Sequence, residues 1–127
     1  MRKKVKPMKR NTNKKKFSLF HNTRCSKSRS CLKILQDKDV SFKEVNYLKT
    51  GLTLNVLEDI INNLASPLSE IIRTNEKVFK QNKFDINNKN LVISFLNKYP
   101  ICLQRPIFFN GVRYIVCRPP EMILNFL

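Results

Sequence analysis

The chain has 127 residues, 42% of them hydrophobic, and a formal net charge of +16. That length and apolar content suit one domain with a real core and leave no run near the ~18 residues of a membrane span. Only Phe17 to Phe20 follow the basic start before polar residues resume, too few for the apolar stretch of a signal peptide, and a Lys-rich, Arg-poor start fits a mitochondrial transit peptide poorly.

A cytosolic protein is therefore expected, with no membrane contact and with Cys25, Cys31, Cys102 and Cys117 reduced at rest. None of the four is paired as C-x-x-C, so no metal site is expected. The charge is uneven. Residues 1–16 hold nine Lys or Arg and no acid, while the remainder holds sixteen against nine acids. The start reads as a disordered basic tail, able to touch nucleic acid only non-specifically through phosphates. The domain proper then spans 17–127. Its residual positive charge favours an anionic small molecule or an acidic partner.

Phe17 to Phe20 reads as a strand. A polar loop, His21 to Arg24, leads to Cys25 and a helix from Ser26 to about Lys38, with Ser28, Cys31, Leu32 and Leu35 on one face. Asp37 to Asp39 breaks it. Val40 to Tyr47 reads as a second strand and Lys49-Thr50-Gly51 as a loop. Thr53 can cap a helix that turns Leu57, Ile60, Ile61 and Leu64 inward. Ser66-Pro67 restarts a helix with Leu68, Ile71 and Ile72 inward. Glu76 to Phe84 reads as short helix and loop. Asn87 or Asn88 opens a helix with Val92, Phe95, Leu96 and Tyr99 on one face, ended by Pro100. Ile107–Phe109 and Val112–Val116 flank Asn110-Gly111, which predicts a hairpin with a type I′ turn. Arg118-Pro119-Pro120 opens a short helix from Glu121 to Leu127. This order predicts an α/β protein: a thioredoxin-like mixed sheet flanked by helices, with a helical insertion at about 52–99 between the βαβ unit and the C-terminal hairpin.

Cys25 is the candidate nucleophile. A helix N-terminus favours thiolate over thiol, and Arg24 and His21 are close in sequence. His21 either supports the thiolate or is a strand-end histidine satisfied by backbone. Ser28 stands where a redox pair would have its second cysteine, so it leaves no internal resolving thiol and can donate to the sulfur. Cys31 lies ~9 Å further along the helix, beyond the ~7 Å limit for a disulfide with Cys25. It reads as core, as do Cys102 and Cys117, with Cys117 also a candidate neighbour of the site because it precedes Arg118. Arg73, Arg105 and Arg118 each follow an apolar segment. Together they can cage a tetrahedral oxyanion, because guanidinium forks match its edges and stay charged when desolvated. Arg105-Pro106 is a candidate cis bond.

HNTRCSKSR (21–29), IIRTNE (71–76), YPICLQRPI (99–107) and CRPPE (117–121), in this order and spacing, resemble the glutaredoxin-coupled arsenate reductase family over about Phe17 to Leu127. The resemblance implies reduction of arsenate to arsenite with electrons from glutathione and glutaredoxin, and no bound cofactor. It implies Cys25 as the residue that forms a thiol-arsenate adduct. It also implies Arg73, Arg105 and Arg118 as the oxyanion-holding arginines, and His21 and Ser28 as thiolate support. Thr23 stands where many relatives have proline. The alternative branch with the same fold, the Spx-like regulators that bind RNA polymerase, typically carries C-x-x-C. Ser28 speaks against that branch. A non-enzymatic protein that binds an acidic partner and a nucleic-acid binder driven by 1–16 are the competing expectations.

Overall fold

The computed structural model describes residues 17–127, so the basic segment 1–16 and its expected disorder lie outside the described residues. Four short strands form one sheet: β1 (Ser18–Phe20), β2 (Lys43–Val45), β3 (Ile107–Phe109) and β4 (Tyr114–Val116), in the spatial order β2-β1-β3-β4. β1 and β2 are parallel. β1–β3 and β3–β4 are antiparallel. The parallel pair is joined by α1 (Ser26–Asp37). This is the mixed, thioredoxin-like sheet that the sequence predicts.

Register sorts the side chains. Leu19 pairs with Phe108, and Phe108 pairs with Ile115. These three share one face, where they pack with Cys31, Leu35, Cys117 and Ile123 against α1 and the terminal 3₁₀ helix, Pro120–Phe126. Their neighbours Phe20, Ile107, Tyr114 and Val116 point to the other face, as the twofold period of a strand requires. There they join a larger core with Leu57, Ile60, Ile61, Val92 and Leu96. That core is supplied by α3 (Leu54–Asn62) and α5 (Lys89–Lys98). Phe108 is fully buried between two strands, and truncating such a residue to alanine costs about 3–5 kcal/mol.

The helix starts follow their caps. The Thr53 hydroxyl accepts the Val56 N–H at 3.2 Å, and Asn88 Oδ1 accepts the Leu91 N–H at 3.1 Å. Such caps contribute about 1 kcal/mol each. α1 ends where expected, and Asp39 just beyond it has a positive φ of 56°.

Several expectations need correction. The second strand is shorter than Val40 to Tyr47, because Tyr47 opens a one-turn helix, α2 (Tyr47–Thr50), with its ring buried. Gly51 closes that turn at φ 76°, a conformation that needs glycine. The segment after Pro67 is one 3₁₀ turn, Leu68–Glu70, rather than a helix. Ile72 there pairs with Leu103, and Tyr114 pairs with Leu64, so backbone pairing to distant segments replaces helical continuation. α4 (Lys77–Gln81) follows as a short helix. The hairpin forms, but its loop is four residues long. Asn110 Oδ1 accepts the N–H groups of Val112 and Arg113 at 2.9 and 2.8 Å, and only Gly111 has positive φ. A side-chain turn thus takes the place of the type I′ turn.

Candidate active site

The chain leaves β1 with the His21 N–H still bonded to the Val45 carbonyl at 3.2 Å. Asn22 then makes the turn. Its Oδ1 accepts the Arg24 N–H at 3.0 Å, its carbonyl accepts the Cys25 N–H at 2.9 Å, and its own N–H donates to Ser28 Oγ at 3.2 Å. Thr23 completes the loop by accepting Arg29 Nη1 at 2.8 Å through its carbonyl. Cys25 becomes the N-cap of α1 with extended backbone, φ −93° and ψ 125°, and its carbonyl accepts the Arg29 N–H.

An N-cap side chain faces the unpaired N–H groups of the first turn. Here that side chain is a sulfur. Partial burial pushes the Cys25 thiol up, but the backbone N–H groups of Ser28 and Lys27, the Ser28 hydroxyl and the Arg105 guanidinium outweigh it and bring the thiol down to about 7. A large thiolate fraction therefore exists at neutral pH. Ser28 is fully buried. Because its oxygen accepts from Asn22, its proton is free for the sulfur.

His21, for which the sequence left two roles open, takes its partner from β2. It is 2% exposed, and its Nε2 meets Glu44 Oε1 on β2 at 2.9 Å. Nδ1 has no partner, and no hydrogen bond joins the ring to Cys25 among the described residues.

Arg105 is buried beside the thiol. Its Nη1 donates to the Ile101 carbonyl at 3.1 Å and to the Tyr47 hydroxyl at 3.5 Å. The Arg105-Pro106 bond is cis, as the sequence predicts; so is Arg118-Pro119, which the sequence reading missed. Arg118 reaches back to Arg105, its Nη1 donating to the Arg105 carbonyl at 2.6 Å. Arg73 is held by Glu76 and Gln104. Arg73 and Arg118 line a shallow cavity of about 140 Å³ with Ile72, Thr74, Asn75 and Gln104. The three arginines therefore gather in one region, with Arg105 at the sulfur and the other two at the adjoining hollow. Tyr47 registers this convergence: burial raises its hydroxyl, Arg105 and Arg73 pull it down, and the Cys25 thiolate raises it.

The other cysteines are buried and free. Cys117 has Cys31 as its neighbour, and that contact together with burial pushes its thiol far up; burial also raises Cys102. Neither is fitted for nucleophilic work. Larger hollows of about 420 and 620 Å³ lie along β2, lined by residues such as Phe20, Lys43 and Val56 or Phe17 and Phe109, away from the arginines. Tyr47, Glu76 and Gln104 escaped the sequence reading. Glu76 and Gln104 sit inside the IIRTNE and YPICLQRPI segments, so proximity to Arg73 and Arg105 was their one available signal.

The arrangement offers a nucleophilic sulfur, hydrogen-bond donors for an anion beside it, and no second thiol at the Ser28 position. The arsenate reductase of Neisseria meningitidis is 32% identical over 112 residues, covering 84% of this chain and 94% of that protein. The arsenate reductase of Haemophilus influenzae is 28% identical over 113 residues, covering 86% of this chain and 97% of its own length. Among solved structures, the arsenate reductase from Vibrio cholerae superposes with a TM-score of 0.81 at 24% identity, covering 91% of this chain and all of the other. The ArsC family model matches residues 20–126, nearly the whole described chain with the thiol loop and all three arginines inside it, and the protein belongs to the ArsC family.

Proposed function

We propose that this protein is an arsenate reductase in which Cys25 is the nucleophile and Arg73, Arg105 and Arg118 hold the oxyanion. The observation that carries the proposal is the placement of Cys25 as the N-cap residue of α1, where the first-turn N–H groups, Ser28 and the nearby Arg105 guanidinium bring its thiol down to about 7. A thiolate attacks arsenic(V), an S–As bond forms, and one arsenate oxygen departs with protons as water. The attack places negative charge on oxygens that guanidinium donors are suited to neutralise.

Reduction to arsenic(III) needs two electrons. Two external thiols supply them by becoming a disulfide, so arsenic acid and two thiols give arsenous acid, a disulfide and water. Ser28 stands where a C-x-x-C pair would have its second cysteine, and the other three cysteines are buried, so no internal thiol is placed to complete the cycle. Glutathione with glutaredoxin is the donor system we assign, and a reducing cytoplasm is the compartment where such donors and four free cysteines coexist. Among the described residues no helix is long and apolar enough to cross a membrane.

The test is arsenite formation with glutathione and glutaredoxin. Turnover in the wild type and its loss in Cys25→Ser is the expected result. Full activity in Cys25→Ser, or none in the wild type with any thiol donor, overturns the proposal.

A further inference from the structure

Arg73 is fixed from two sides. Its Nε donates to Glu76 Oε2 at 3.1 Å, and its Nη1 donates to Gln104 Oε1 at 3.2 Å. The two acceptors come from different segments. Glu76 is the N-cap residue of α4, three residues after Arg73. Gln104 belongs to the segment that precedes β3. The backbone locks these segments together: the Arg73 N–H bonds the Cys102 carbonyl at 2.8 Å, and the Gln104 N–H bonds the Ile71 carbonyl at 2.8 Å. Both anchors are therefore set relative to the arginine before any ligand arrives.

This contact has little value for stability. The Arg73–Glu76 pair is partly exposed, with side chains at 25% and 28%, and such pairs contribute little. What two acceptors on one guanidinium do is orient it. An arginine has five N–H donors in a rigid plane; occupying Nε and one Nη1 position removes the freedom of a long, flexible side chain and fixes where the remaining donors point. Gln104 and Arg73 both line the small cavity with Thr74, Asn75 and Arg118. The guanidinium that carries the remaining donors belongs to a residue lining that hollow and is about a quarter exposed.

We propose that Glu76 and Gln104 are positioning residues that clamp Arg73 for the oxyanion, acting on affinity for the anion and not on the thiol. This rests on the arsenate reading of the site. It follows from geometry that Gln104→Leu and Glu76→Ala weaken oxyanion binding through Arg73 alone, whereas Glu76→Gln, which keeps an acceptor oxygen, restores most of it.

The test reads oxyanion binding and thiol chemistry separately. Cys25 is alkylated with iodoacetamide across pH, and the arsenate concentration giving half-protection is measured for wild type, Gln104→Leu, Glu76→Ala, Glu76→Gln, Arg73→Leu and the Arg73→Leu/Gln104→Leu double variant. The expected result is a half-protection concentration raised about 5–20-fold in Gln104→Leu and Glu76→Ala, and less than about threefold in Glu76→Gln. The pH of half-maximal alkylation should stay at the wild-type value, and Gln104→Leu should add nothing once Arg73 is leucine. Equal protection in all variants, an added loss on the Arg73→Leu background, or a moved alkylation midpoint overturns the clamp. A wild type that arsenate does not protect overturns the arsenate reading, and the clamp with it. Thermal unfolding of each variant checks that the fold is intact.

Discussion

The site has two halves built in opposite ways. The thiol half is contiguous: Asn22, Cys25 and Ser28 lie within seven residues, and one turn plus one helix start place every group that acts on the sulfur except Arg105. The arginine half is assembled across the chain. Arg73, Arg105 and Arg118 come from three segments tied by backbone hydrogen bonds and by the Arg118 contact to the Arg105 carbonyl. The difference separates two tasks. A local motif can make a sulfur reactive at a helix start, whereas in the proposed function the distant arginines select the oxyanion that the sulfur meets. Arg105 is the residue that belongs to both, since it lowers the Cys25 thiol and donates to the Tyr47 hydroxyl.

On the proposed function, removing the Cys25 thiol has the largest effect. Cys25→Ser should lower arsenite formation by ~10³-fold or more while leaving thermal unfolding near the wild type, because a hydroxyl is not ionised at neutral pH. Next is the residue shared by both halves. Arg105→Lys should cost about 10²-fold in kcat/KM, since a point charge cannot reproduce a guanidinium held by Ile101 and Tyr47. It should also move the acid limb of the pH profile upward. The thiolate is the basic form, so a raised thiol value reduces the reactive fraction below it and leaves the fraction unchanged well above it. The deficit should therefore shrink as pH rises.

Ser28→Ala acts on the thiol half alone. It should raise the pH of half-maximal Cys25 alkylation by about half a unit, a deficit of roughly threefold at pH 6 that disappears by about pH 9, with no change in arsenate protection beyond that explained by the thiol. The smallest effect is expected at His21. Its hydrogen bond goes to Glu44 across the β1–β2 pair, so His21→Gln should leave the alkylation midpoint in place and change stability by about 1 kcal/mol in a denaturant titration. A midpoint that moves in His21→Gln would return the histidine to the thiol half.

The sequence made the thiol half easy to read because its causes are local: helix-start chemistry fixes Cys25 and Ser28 within one turn. Caps at Thr53 and Asn88 and the alternation of Leu19 and Phe20 were legible for the same reason. The sequence left two roles open for His21, and its partner Glu44 was out of reach because it stands on a neighbouring strand and no spacing rule reveals a cross-strand bond. Tyr47 looked like the end of a strand, since a buried aromatic fits either period; the turn that Gly51 closes decided it. The segment after Pro67 carries helix signals that lose to pairing of Ile72 with Leu103, a contact 31 residues long in sequence and invisible to local propensity. Arg73, Arg105 and Arg118 stood out as charges beside apolar runs, but the bonds of Arg73 to Glu76 and Gln104 and of Arg118 to the Arg105 carbonyl needed three dimensions.

The central claim is that both halves meet at one sulfur, and alkylation of Cys25 across pH with and without arsenate tests it most directly. The account predicts a midpoint near pH 7 in the free protein and saturable protection by arsenate that weakens when Arg73 or Arg118 is replaced by leucine. A midpoint at the ordinary cysteine value of ~8.5, or a midpoint near 7 with no protection at any arsenate concentration, would contradict it.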